Sequence, residues 1–166
     1  MLVGRKRILI RVMNIIPARV EHAKILADIV LAASEEIREI DFDADGWNRF
    51  VAANKPENFE NKLTNPEFSI YCCEDSNRII GFLSLKDNEK IDQLFVIPEA
   101  RNQGVAASLW LVAKRRASES GAGRMFWVRS SSTAIPVYQK FGFACEGDRQ
   151  SVGGIYFQLM RLKQNA

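Results

Sequence analysis

The chain has 166 residues, 47% of them hydrophobic and 26% charged, with a net charge of +3. That is enough sequence for one ordinary core and excludes a disordered chain on composition. The small positive charge suits an anionic small ligand and argues against a nucleic-acid surface. No stretch is long and apolar enough to read as a membrane span, and the single histidine, His22, excludes a zinc site built from several histidines.

Cys72, Cys73 and Cys145 make an odd number with no metal-ligand spacing. They read as buried free thiols of a reducing, cytoplasmic protein, and no metal is expected. Residues 1–11 are basic and then apolar, over too short a run for a signal peptide. They read as an N-terminal extension or the start of the first strand, and residues 12–164 as a single domain.

In chain order, residues 13–17 form a short strand. Residues 18–34 form a helix with Ala23, Leu26, Ala27, Val30 and Leu31 on one face, and His22 near its start is expected at the surface. An acidic run follows, with Glu35, Glu36, Glu39, Asp41, Asp43 and Asp45; it reads as a solvated face. A second helix is expected from Asp45 as N-cap, and Pro56 and Pro66 bracket another. Residues 68–73 and 79–85 flank the turn Asp75-Ser76-Asn77 and predict a hairpin. Gly81 inside the second strand marks a bulge or a close backbone approach.

Leu94, Phe95, Val96 and Ile97 are a continuous apolar run, as in a strand buried on both faces, and Pro98 ends it. Arg101-Asn102-Gln103-Gly104-Val105-Ala106 then opens a helix over 104–120. Unpaired N–H groups at a helix start attract anions, and Arg101 adds charge. This stretch reads as a phosphate cradle at the end of a buried strand. A strand at 125–128 follows the helix and is expected to pair parallel to strand 91–97 through a right-handed crossover. Ser130 to Thr133 offer capping hydroxyls for a short helix ending near Gly142. Strands at 143–146 and 155–162 close a mixed α/β sheet.

Two motifs carry a family resemblance. Arg101-x-x-Gly104-x-Ala106 resembles the Arg/Gln-x-x-Gly-x-Gly/Ala signature of the GNAT superfamily of acyl-CoA N-acyltransferases. Ala134-Ile135-x-x-Tyr138-x-Lys140-x-Gly142-Phe143 resembles that superfamily's second signature. Ala106 stands where glycine is commoner, and Ser131 where many members have asparagine. The resemblance implies antiparallel N-terminal strands and a splayed parallel pair at the centre. It also implies acetyl-CoA, or another acyl-CoA, as co-substrate and direct transfer to an amine.

In that reading the pyrophosphate sits on Arg101, Asn102, Gln103, Gly104, Val105 and Ala106. The pantetheine arm bonds the backbone of Leu94, Phe95 and Val96, one of whose N–H groups serves the oxyanion, and Ser131 adds a contact. Tyr138 contacts the cofactor and serves the leaving thiolate. Asp92 is the candidate base, with Glu89 or a water chain as the alternatives. A small cationic amine is the expected acceptor, drawn in by the acidic run, with Phe42, Trp47 and Phe50 either walling its pocket or packing in the core. A catalytically silent acyl-CoA sensor and a protein lysine or N-terminal acetyltransferase are the rival readings. A homodimer through the closing strands is compatible with the resemblance.

Overall fold

A computed structural model describes residues 13–162. The reading of residues 1–11 as an extension or first strand lies outside the described residues. The elements are β1 (Met13–Pro17), α1 (Ala23–Ser34), α2 (Arg38–Asp41), α3 (Ala44–Ala53), α4 (Pro56–Thr64), β2 (Phe68–Asp75), β3 (Arg78–Lys86) and β4 (Lys90–Val96). After these come α5 (Val105–Glu119), β5 (Trp127–Ser130), α6 (Ile135–Lys140), β6 (Phe143–Cys145), β7 (Gln150–Val152) and β8 (Ile155–Leu162). The strands form one sheet in the order β1-β2-β3-β4-β5-β8-β6, with β7 paired to β8. All pairings are antiparallel except β4 with β5.

Local chemistry explains the meander. Ser76 and Asn77 have φ of 52° and 64°, and Gly153 and Gly154 have 58° and 78°. Two consecutive left-handed residues give the turn whose twist matches a two-residue hairpin. Strand β3 is buried along residues 79–85, because α1 packs against it on one side and α5 on the other. Gly81 meets both expectations for it. The β2–β3 register shifts beside it, and a Cβ there would lie 2.8 Å from the Phe95 carbonyl oxygen.

Several local readings are corrected. The fifth strand begins at Trp127, not at 125: residues 124–125 form a bend, and Phe126 is buried edge-on against Trp110 at 5.0 Å. His22 is buried, not solvated. A 3-10 turn folds it back so that its Nδ1 accepts the Arg19 N–H at 3.0 Å. The cap of α3 is Asp43, whose Oδ1 accepts the Gly46 N–H at 2.7 Å, rather than Asp45. Helix α6 starts after Ala134 with no side-chain cap. Strand β7 was not foreseen, since its three residues are all exposed and carry no apolar alternation.

The β7–β8 hairpin seats on the start of α3. The Asp43 N–H donates to the Gly154 carbonyl at 2.9 Å, and Phe42 bridges Ile155. The approach needs two glycines: a Cβ on Gly46 would lie 2.0 Å from the Gly154 oxygen, and one on Gly154 would lie 2.0 Å from Asp43 Oδ1. Cys72 and Cys73 are both fully buried, as adjacent strand residues are when both faces of a sheet are covered, but Cys145 is exposed. Burial pushes the Cys72 thiol up to about 12.

Two outcomes follow from this packing. Gly46→Ala should lower stability in urea by about 1–3 kcal/mol from overpacking, even though alanine is the better helix former by about 1 kcal/mol; an unchanged midpoint would show that the contact relaxes freely. In the native protein a thiol reagent should label Cys145 alone within minutes, with Cys72 and Cys73 reacting only on unfolding. Labelling of all three at one rate would contradict the packing of β2.

Candidate active site

The site begins where β4 leaves β5. The two strands pair only at Lys90 with Trp127 and Ile91 with Val128. Beyond Ile91 the β5-facing edge of β4 has no strand partner among the described residues. The Ile97 N–H donates to the Ile80 carbonyl at 2.9 Å. In an antiparallel ladder alternate residues share this pattern, so Phe95 also bonds β3, opposite Phe82. Leu94 and Val96 therefore turn their N–H and C=O groups into the gap. Of the three residues assigned to a pantetheine arm, these two turn backbone away from β3 and Phe95 does not, although the Val96 carbonyl also accepts from Arg101 Nε at 3.4 Å.

The chain then turns through Pro98–Ala100 into the loop before α5. Asn102 and Gly104 are left-handed, at φ 58° and 79°, and Gly104 is the N-cap of α5. The first N–H groups of α5 have no partner within the helix, and they open toward a cavity of about 430 Å³. Its wall includes Leu94, Phe95, Val96, Arg101, Asn102, Gly104, Val105 and Ala106, with Ser131 and Tyr138 from the far side. Gln103 is not in this wall; its side-chain amide donates to the Glu99 carbonyl at 3.1 Å.

Tyr138 is 5% exposed and packs edge-on to Phe143 at 5.7 Å. Its hydroxyl has no hydrogen bond among the described residues, and burial pushes its phenol above the ordinary range. Among the described residues the wall carries two cations, Arg101 and Lys140, and one carboxylate, Glu36. Glu36 and Lys140 were not assigned to the site from sequence. Glu36 looked like one member of a solvated acidic run.

Asp92 lies elsewhere. The β3–β4 register passes from Ser84–Gln93 to Leu85–Ile91, so Asp92 is an extra, bulged residue. Consecutive strand residues normally point to opposite faces. Here the bulge lets Asp92 and Gln93 both reach Lys62 Nζ, at 2.7 and 3.3 Å. Gln93 continues to Asn54 at 2.7 Å, and Lys90 stands 4.0 Å from Asp92. Neither Asp92 nor Glu89 is in the cavity wall. The Glu89 carbonyl holds the Trp127 N–H at 3.1 Å, at the paired end of β4.

The acidic run is dispersed by the fold. Glu35 pairs with Arg38 at 3.3 Å, Glu36 with Arg101 at 2.7 Å, and Asp43 caps α3. Asp41 is 1% exposed. It accepts from the Ser132 hydroxyl at 2.6 Å, the Ser132 N–H at 3.1 Å and Arg149 at 3.0 Å. This buried carboxylate ties α2 to the loop that carries Ser131, and it takes the hydroxyl expected to cap α6. Phe42, Trp47 and Phe50 pack on one another at 4.9–5.9 Å and do not reach the cavity. Among the described residues no helix is long and apolar enough to cross a membrane.

Comparison with known proteins fits this geometry. A profile of the acetyltransferase (GNAT) domain matches residues 38–164. A GCN5-related N-acetyltransferase of Rhodopseudomonas palustris superposes with a TM-score of 0.77 at 22% identity, covering 91% of this chain and 95% of that one. The PaiA N-acetyltransferase of Thermoplasma acidophilum, in complex with coenzyme A, gives 0.78 at 18% identity, covering 92% and 99%. An acetyltransferase of the GNAT family from Staphylococcus aureus gives 0.69 at 17% identity, covering 92% and 100%. No curated protein matches the sequence. The structural likenesses establish the fold, and the domain match spans the splayed strand, the α5 loop and Tyr138: the chain belongs to the GNAT family of acetyltransferases.

Proposed function

We propose that this protein moves an acetyl group from acetyl-CoA directly to a primary amine on a small cationic molecule. The observation that supports this most is the continuity of one cavity. It joins the free edge of β4 at Leu94 and Val96 to the unpaired N–H groups at the start of α5, with Tyr138 across from them. A long ligand with amides at one end and a pyrophosphate at the other matches that sequence of groups. The bound coenzyme A of the Thermoplasma neighbour supports the assignment.

Acetyl-CoA supplies an activated thioester. The chain does the rest by placement. Leu94 and Val96 bond the pantetheine amides as an added strand would, and one of their N–H groups stabilises charge on the thioester oxygen. The loop from Arg101 to Ala106 holds the pyrophosphate with backbone N–H groups and one guanidinium. Gln103 contributes through its backbone only.

A water chain takes the ammonium proton to solvent before the nitrogen attacks the carbonyl carbon, and takes a second proton from the nitrogen as the amide forms. The carbon–sulfur bond then breaks, and the thiolate needs a donor. Burial keeps Tyr138 protonated through neutral pH. A phenol is already a weaker acid than a thiol, their ordinary pKa values being about 10 and about 8.5. The Tyr138 hydroxyl therefore acts by hydrogen bonding the thiolate, and the sulfur takes its proton finally from water. Asp92 clamps the β4 bulge through Lys62 and does not serve as the base.

These roles are separable. Tyr138→Phe should lower kcat about ten- to hundredfold, the worth of one hydrogen bond to a charged group, while coenzyme A affinity in a calorimetric titration stays within about twofold. Wild-type turnover in that variant would remove Tyr138 from the mechanism. Asp92→Asn should cost about 1–3 kcal/mol of stability as a half-buried ion pair is broken, with kcat falling less than about tenfold and the acidic limb of its pH profile retained. Loss of that limb would make Asp92 the base after all. The whole reading is tested by thiol release from acetyl-CoA across a panel of amines, where no release from any amine or peptide would leave only a binding protein.

A further inference from the structure

The face of the sheet under α4 gathers cations where β4 and β5 part. Lys86, Lys90, Trp127 and Arg161 stand directly opposite one another across β3, β4, β5 and β8. Residues in such register share a face, and Lys90 Nζ lies over the Trp127 ring, 5.3 Å from its centre. Lys62 reaches this face from α4 to meet Asp92. Arg129 is two residues beyond Trp127 on β5 and so joins the same side.

Carboxylates cover only part of this charge. Asp92 is held by Lys62 at 2.7 Å, Glu67 stands 4.0 Å from Lys86, and Glu146 pairs with Arg161. Lys90 has only Asp92 at 4.0 Å, beyond hydrogen-bond reach, and its side chain is 25% exposed. Burial lowers its pKa from the ordinary lysine value; Asp92 opposes this, and Arg129, Lys86 and Lys62 add to it. Arg129 is exposed and has no carboxylate partner among the described residues. Its guanidinium lies over the Phe157 ring, 4.7 Å from the centre. That contact occupies one face of the guanidinium and leaves the in-plane N–H fork for a carboxylate.

These two cations stand at the acyl end of the cavity. In its assignment to acetyl-CoA the pyrophosphate takes the loop after Val96. The arm therefore runs back along β4 past Leu94, and the thioester lies toward the vertex at Ile91 and Val128. Lys90 precedes Ile91 and Arg129 follows Val128. On the continued register Arg129 is level with Asp92, two residues or about 7 Å along the strand from Leu94.

We propose that Arg129 and Lys90 bind a carboxylate of the acceptor, so that the substrate is an amine carrying an acid several bonds from its nitrogen. The proposal deepens the reading of the cavity as an acetyl-CoA site and rests on it. An ω-amino acid spans the distance, its acid on Arg129 and its nitrogen at the thioester. A diamino acid of that length keeps a net positive charge, since two ammonium groups outweigh one carboxylate. Asp92 does not neutralise this subsite, because Lys62 holds it.

The test uses two pairs of amines whose members differ only in the acid: lysine against 1,5-diaminopentane, and 5-aminopentanoate against butylamine. Thiol release from acetyl-CoA gives kcat and KM for each. The acid-bearing member should have a kcat/KM about tenfold higher or more, the worth of a charge-assisted hydrogen bond, and the difference should lie in KM. Arg129→Gln should bring that ratio to within about twofold of unity. Lys90→Gln should lower it in part, and Arg129→Lys should keep some of it. A thermal melt and a calorimetric titration with coenzyme A check that each variant is folded.

The failures are distinct. No coenzyme A binding by wild type overturns the assignment of the cavity. Coenzyme A binding with no preference for the acid, or with a preference that survives Arg129→Gln, overturns the carboxylate subsite and leaves the cavity assignment standing. Coenzyme A binding without turnover of either acid-bearing amine does the same. A merely structural role for Arg129 would lower kcat/KM for both members of a pair together, which also overturns the proposal, since it requires the ratio to collapse.

Discussion

Everything in this site depends on β4 parting from β5 after two residue pairs. A sheet that stayed zipped would consume the backbone of Leu94 and Val96 and leave no slot. The separation is built in from both sides. On the β3 side, the bulge at Asp92 adds a residue to β4 and bends it away. On the β5 side, that strand gives its other edge to β8 along its full length, from Trp127–Arg161 to Ser130–Gln158. Unpaired backbone in a protein interior is costly. The gap is tolerated because it opens into a cavity where solvent or a ligand can meet those groups.

The walls of the gap are fixed by contacts made far from the reacting atoms. Asp41 is buried and satisfied by two groups of Ser132 and by Arg149. It binds the segment after α1 to the β5–α6 loop and to the closing hairpin. The Gly46–Gly154 approach makes a second attachment between those parts. The helical segment from Ala33 to Ile37 and the loop carrying Ser131 are thereby held on a common frame around the cavity.

Much of the fold was legible because its signals are local. The apolar run at Leu94 to Ile97, the turn at Ser76-Asn77 and the small-residue start of α5 each state their conformation within a few residues. The two motifs carry Arg101, Gly104 and Tyr138, which line one cavity. What stayed illegible depends on register and on distant partners. Nothing near Asp92 announces that a bulge turns it toward Lys62, thirty residues away in sequence. Asp41 and Glu36 stood in one acidic run, and only the tertiary fold buries the first and sets the second on Arg101. His22 shows the same limit at short range, since a single 3-10 turn decides whether it is solvated.

The central claim is that the β5-facing edge of β4 receives the co-substrate as an added strand. Amide hydrogen exchange at single-residue resolution tests it directly, with and without coenzyme A. The account predicts that Leu94 and Val96 gain protection on binding while Phe95, already bonded to β3, stays protected in both states. Binding of coenzyme A with no change at Leu94 and Val96 would contradict it.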